Sequence, residues 1–175
     1  MSHVASTGRL RLRLVQAADA PLYLALLTDP DFIRFVGDRG VRTLEAAVDS
    51  IEAGPIAMQR SRGHSMYVVE LAGSGEPLGM SGLIKRDVLD DVDIGYAFLP
   101  QHRGRGYALE AAQAVVAHAC SLGIARLAAI VDPVNLRSIA LLLRLGMRFE
   151  RHTQLTPGQS GVNLYGMVLA PAART

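Results

Sequence analysis

The decapeptide QHRGRGYALE, Gln101 to Glu110, joins an apolar run, DIGYAFLP, to an alanine-rich one, AAQAVVAHA. Glycine in a helix costs about 0.5–1 kcal/mol relative to alanine, so Gly104 and Gly106 at the mouth of a helix need a reason. One reason is a bare turn. The other is a ligand lying against the backbone. The first turn of a helix carries N–H groups without intrahelical partners, and the helix dipole puts positive potential there. Such a strand-to-helix turn suits an anion. Glycines let a phosphate approach the backbone, and Arg103 and Arg105 add charge. Phosphate or pyrophosphate is the chemistry these residue types fit.

Three phosphate readings compete. A P-loop fails, because no Gly-Lys-Ser/Thr follows. A dinucleotide fingerprint has Asp132 at the end of the next strand as its ribose-binding acid. However, Leu109 stands at the third glycine position, and Asp132 comes later than the roughly 20 residues expected. Too little chain follows Asp132 for the second half of a doubly wound domain. The third reading is coenzyme A. The decapeptide by itself separates neither the last two nor the bare turn.

Other reactive residue types stand alone. Cys120, the single cysteine, excludes an internal disulfide framework. Its place in AVVAHACSLG reads as a structural thiol on a helix face. His102 and His118 have no partner in the sequence, and no His/Cys/Asp cluster has metal-ligand spacing, so no metal is expected. The net charge is +2, from arginines dispersed without aromatic interleaving, which argues against nucleic acid. No run approaches the roughly 20 apolar residues of a membrane span. The N-terminus lacks the apolar core of a leader. A cytoplasmic protein is the expectation.

The elements that must position the turn follow from periodicity. Half of the 175 residues are hydrophobic, enough for a core, and a single domain over 1–175 is expected. RLRLRLV, Arg9 to Val15, alternates as a strand with solvated arginines should. Asp19 before Ala20-Pro21 predicts an N-cap and the helix APLYLALLTD. PDFIRFVGDRG reads as irregular, and Thr43 as the cap of a second helix. SMYVVELAG and PLGMSGLIKRD predict a hairpin across GSGEP, and DVDIGYAFL a further strand. A long helix is expected from about Gly104 to Leu122, stopped by Gly123. RLAAIVD predicts a central strand, Asn135 to Leu145 a helix ended by Gly146, and MRFERHTQL with VNLYGMVL a closing antiparallel pair. The pattern is a mixed α/β domain.

In this setting Gln101-x-x-Gly104-x-Gly106-x-Ala108 resembles the acetyl-CoA-binding signature of the GCN5-related N-acetyltransferase (GNAT) superfamily. Asn135-x-x-Ser138 followed by Leu-Gly-Met, with TGRLRLR, GEPLGMSGL and DIGY upstream, is similar to its RimJ/RimL-like ribosomal-protein alanine acetyltransferase type. The resemblance runs over nearly the whole chain. It implies a mixed, mostly antiparallel sheet of about six or seven strands, with helices on both faces and a splayed parallel central pair, DVDIGYAFL and RLAAIVD.

The resemblance also implies an activity: transfer of an acetyl group from acetyl-CoA to a primary amine by direct attack. Backbone groups of Phe98 and Leu99 would pair with the pantetheine arm. The amides from Arg103 through Gly104, Arg105, Gly106 and Tyr107 to Ala108 would hold the pyrophosphate, and Asn135 would reach the pantetheine. Asp93 matches a position where this type commonly carries Glu, as base or amine ligand. Ser138 matches a serine facing the leaving thiolate. Leu142 stands where many relatives place a tyrosine acid, which leaves that task to Ser138 or water. The implied acceptor is a small-molecule amine or a peptide or protein N-terminus, with homodimerisation left open. The alternative is an acyl-CoA-binding module without catalysis.

Overall fold

The computed structural model describes residues 3–170. The chain opens with two antiparallel strands, β1 (His3–Ser6) and β2 (Leu10–Leu14). The alternation of β2 sends Leu10 and Leu12 into the core. Its other face is not solvated as expected. Arg13 is buried, donating from Nε to Glu70 at 2.6 Å and from Nη2 to Asp19 at 2.7 Å, while Arg11 meets the same Glu70 at 2.7 Å. A buried cation persists only when paired, and both partners lie outside the strand. Asp19 is therefore engaged with Arg13, and no side-chain cap bond forms at the helix that follows.

That helix is α1 (Ala20–Leu27), with Pro21 in its first turn. The segment expected to be irregular forms α2 (Pro30–Phe35), which Asp29 caps by accepting from the Asp31 and Phe32 amides at 3.1 Å each. Six residues are too few to show a helical period, but the Asp-Pro cap is sufficient to start a turn. Thr43 caps α3 (Leu44–Ile51) as expected, accepting from Ala46 N–H. A π-type turn over Glu52–Ile56 carries the chain past Pro55 into α4 (Ala57–Arg62). Proline lacks the N–H that a regular ladder needs there.

Next come β3 (Met66–Leu71), β4 (Pro77–Ile84), β5 (Val92–Phe98), α5 (Tyr107–Ser121), β6 (Arg126–Val131), α6 (Leu136–Leu145), β7 (Arg148–Thr153) and β8 (Val162–Val168). Gly123 and Gly146 follow α5 and α6 with φ of 75° and 97°, the left-handed stop that glycine supplies. One sheet of eight strands results, in the order β1-β2-β3-β4-β5-β6-β8-β7. It has more strands than the six or seven expected, because β1 is too short to be read from its sequence. Every neighbouring pair is antiparallel except β5 and β6.

Helices cover both faces. Ala111, Ala112, Val115 and Ala119 of α5 pack on Leu10, Leu12, Tyr67, Ile94 and Phe98. Their small side chains bring the α5 backbone close to the strands, and so fix where the glycine turn sits. On the other face Leu22, Leu26, Ala47 and Ile51 of α1 and α3 cover Val68 and Met80.

Candidate functional site

β5 and β6 pair only at Val92↔Leu127 and Asp93↔Ala128, and part beyond that point. The gap opens toward the glycine turn. In the antiparallel ladder with β4, Phe98 stands opposite Gly79 and the Leu99 N–H donates to the Leu78 carbonyl at 3.0 Å. Ladder bonds alternate, so Leu99 turns its amide to β4 while the N–H and C=O of Phe98 face the gap. Of the two residues expected to meet pantetheine, Phe98 alone has its amide on that side. Its carbonyl accepts from Arg103 Nε at 2.9 Å.

The turn follows one 3-10 turn at Pro100–His102. Gly104 and Gly106 adopt φ of 73° and 80°, where an L side chain is strained. A Cβ at Gly104 would meet nothing within 4 Å, so open space lies above it. Tyr107 begins α5 with no side chain capping the helix. The open backbone and the first-turn amides of Tyr107 and Ala108 fit an anion such as a pyrophosphate.

The charges around the turn differ from a simple reading of RGR. Arg105 is exposed, but Arg103 turns away to Asp29 at 2.7 Å and Asp31 at 3.0 Å, tying the turn to α2. Arg9 takes a place there instead. It donates to the Arg105 carbonyl at 3.1 Å, lies 4.7 Å over the Tyr107 ring, and pairs with Glu110 at 2.6 Å. Its position in RLRLRLV gave no local signal of this. His102 is buried, 3.4 Å from Glu76, and His118 meets the Tyr67 hydroxyl at 3.2 Å.

Asp93 lies where the parallel pair ends. It is 1% exposed and receives the Arg86 Nε on Oδ2 at 2.7 Å. Its Oδ1 has no hydrogen-bond partner among the described residues. Burial pushes the carboxyl up to about 6 against the opposing charge and hydrogen bond of Arg86. Above that pH it is an ionised acceptor; the Ile130 N–H lies close enough to lower its pKa a little, though not in hydrogen-bond geometry with Oδ1. Arg86 sits in the β4–β5 connection, a loop whose sequence carries no motif.

Across the gap, α6 starts at the Asn135 cap, whose Oδ1 accepts from the Ser138 amide at 3.2 Å. The Asn135 Oδ1 is thus engaged within its own helix, while its Nδ2 makes no hydrogen bond among the described residues. The Ser138 hydroxyl lies 2.6 Å from the Tyr96 hydroxyl of β5. Leu142 is buried in the core beneath. Asp93 and Phe98 of β5, the glycine turn that leads into α5, and Ser138 of α6 therefore border the gap that opens between β5 and β6.

A family model described as an acetyltransferase (GNAT) domain matches residues 9–148. The uncharacterized protein YkkB of Bacillus subtilis is 30% identical over 150 residues, 83% of this chain and 85% of YkkB. A solved acetyltransferase from Agrobacterium tumefaciens superposes with a TM-score of 0.79 at 27% identity, covering 95% of this chain and 94% of that one. RimL, a ribosomal L7/L12 alpha-N-protein acetyltransferase solved in complex with coenzyme A, reaches 0.81 at 20% identity over 96% and 98% of the two chains. At that identity the likeness to RimL is one of fold.

Proposed function

The chain belongs to the GNAT acetyltransferase family, and on that premise we propose that it transfers the acetyl group of acetyl-CoA to a primary amine by direct attack in a ternary complex. The observation that carries this reading is the parting of β5 and β6 just beyond Asp93↔Ala128, with the open glycine turn at the mouth of the gap. The pantetheine arm lies in that gap as an added strand would. The Phe98 carbonyl accepts from it once Arg103 Nε withdraws. The amides from Arg103 to Ala108 hold the pyrophosphate, assisted by the charge of Arg105 and Arg9. Asn135 contributes by capping α6 and so setting the height of Ser138.

The nucleophile must be a neutral amine. Asp93 takes its proton, directly or through one water, and at neutral pH its raised pKa still leaves it ionised. The nitrogen lone pair bonds to the thioester carbon and the carbonyl becomes an oxyanion. The gap-facing Phe98 N–H stabilises that charge. The now cationic nitrogen gives up a proton to water as the intermediate collapses, the C–S bond breaks with its electron pair going to sulfur, and the leaving thiolate accepts a hydrogen bond from the Ser138 hydroxyl until solvent protonates it. With RimL among the fold neighbours, peptide N-termini are the first acceptors to try.

The test is a CoA-release assay over peptides with free N-termini, amino acids, polyamines and antibiotic amines. Acetylation of at least one class is expected, with Asp93→Ala lowering kcat by about 10²-fold or more and leaving the CoA Kd within about threefold. Tight acetyl-CoA binding with no acceptor turned over would favour the non-catalytic module. A wild-type rate in Asp93→Ala would remove Asp93 from the reaction.

A further inference from the structure

The Tyr96–Ser138 contact is the shortest side-chain bond across the gap, and nothing in the reaction scheme above uses Tyr96. The two hydroxyls lie 2.6 Å apart, and the Tyr96 oxygen is also 3.4 Å from the Ser138 carbonyl. A carbonyl can only accept, so it competes with Ser138 Oγ for the single phenol hydrogen, and at 3.4 Å against 2.6 Å it is the weaker competitor. Between a phenol and an alcohol the phenol is the stronger acid and the better donor. With Tyr96 donating to Ser138 Oγ, the serine hydrogen is left over and must find another acceptor. Its own amide N–H is a donor, given to Asn135 Oδ1, and cannot accept it. Among the described residues Ser138 Oγ has no hydrogen-bond partner besides Tyr96, so its hydrogen is available to a ligand in the gap.

We propose that Tyr96 is a positioning residue that fixes the Ser138 hydroxyl as a hydrogen-bond donor aimed at the sulfur of coenzyme A. The inference rests on the reading of the gap as the CoA site. It assigns Tyr96 a task different from that of the tyrosine acid that Leu142 replaces. Burial pushes the Tyr96 phenol up to about 12, partly offset by the Ser138 bond and reinforced by Asp93. A thiol ordinarily titrates near 8.5. A proton passed from Tyr96 toward the thiolate would run uphill by about 3.5 units, so Tyr96 keeps its proton and acts by orientation. Nothing is oxidised, and no bond to Tyr96 forms or breaks.

A donor held on the sulfur favours the thiolate and lowers the thiol pKa of bound CoA. The probe is coenzyme A itself, with the thiolate absorbance of its complex followed against pH. Wild type is expected to lower the bound thiol pKa by about one unit. Ser138→Ala should abolish that shift. Tyr96→Phe, which keeps the ring, should abolish at least half of it, and the double variant should match Ser138→Ala. A merely structural tether would instead cut CoA affinity or melting temperature and leave the thiol pKa at its wild-type value. The proposal is overturned if wild type shows no shift, if Tyr96→Phe removes less than half of it, or if the two substitutions add. Failure of the wild type to bind CoA at all would instead overturn the proposed function.

Discussion

Asp93→Asn replaces the buried carboxyl with a group of nearly the same shape that does not titrate. In the folded chain burial holds the carboxyl at about 6; in the unfolded chain it returns to about 3.9. A carboxyl raised in this way binds its proton more tightly when folded. Its contribution to stability is therefore fully present at low pH, is lost as pH rises through about 4 to 6, and is level above that. Between about pH 4.5 and about pH 7.5 the loss spans about 1.5 units, or about 2 kcal/mol. The Asn variant does not incur it. In a domain of this size 1 kcal/mol moves the melting temperature by about 2–4 °C. The variant should thus gain about 4–8 °C on wild type across that range. Any pH-independent offset, such as the altered bond to Arg86, cancels in the comparison.

Arg86→Ala extends the same test. Removing a cation whose Nε lies 2.7 Å from the carboxylate withdraws an interaction of about 6 kcal/mol at an effective dielectric of 20. Arg86 is about a quarter exposed, and solvent reduces the effect to about one or two pKa units. The pH window in which stability is lost then widens upward toward about 7–8. Calorimetric melts of wild type and both variants provide the readout. A constant gap between wild type and Asp93→Asn would mean that the carboxyl titrates alike in both states. The account of Asp93 as a buried, poised base would then fail.

Gly104→Glu places a negative charge in the open space above the turn and forces a side chain onto a φ of 73°. Calorimetric titration should detect no CoA binding by the folded variant, and an unchanged Kd would sink the placement of the pyrophosphate. Arg103→Ala leaves Asp29, 7% exposed at its side chain, without its cation, and should destabilise the chain by roughly 1–3 kcal/mol. Denaturant unfolding measures this, and Asp29→Asn in the same background should restore part of the loss.

The elements most legible in the sequence are those with local stop and start chemistry. Thr43 and Asn135 cap where a cap residue is expected, and Gly123 and Gly146 end their helices with positive φ. The glycine turn is legible for the same reason, since its conformation is dictated by its own residues. Long-range pairing is not legible. Arg13 reads as solvated until the fold brings Glu70 beside it, 57 residues away. Tyr96 and Ser138 are 42 residues apart, Arg103 and Asp29 are 74 apart, and no spacing rule connects them. Alternation along DVDIGYAFL says which side chains share a face. It does not say which carbonyl will face an unzipped neighbour, because that depends on where the β5–β6 pairing stops.

Under the proposed function, three side-chain contacts sit where a ligand group must go. Arg86 lies on the carboxylate that would take the amine proton, Arg103 on the Phe98 carbonyl that would meet pantetheine, and Tyr96 on the serine that would meet sulfur. Binding is then largely an exchange of partners, with the Phe98 N–H and Asp93 Oδ1 as the polar groups still to be met. This follows from the cost of the alternative, since a buried donor or acceptor left unsatisfied costs about 1–3 kcal/mol. The three exchanges are not equivalent. Arg103 must leave Phe98 for the cofactor to lie down, yet it can keep Asp29 and Asp31 while doing so. Tyr96 need not leave at all, because its bond directs the serine hydrogen outward. Arg86 holds only Oδ2 of Asp93, and Oδ1 is the one buried side-chain oxygen without a partner among the described residues. Oδ1 is closed to solvent in this structure, so the amine would reach it through a water or a shift of its neighbours, without displacing Arg86 from Oδ2. Arg86 would then tune the base without blocking it, which is why its removal should shift the pKa of Asp93 upward and leave the carboxylate's access to substrate intact.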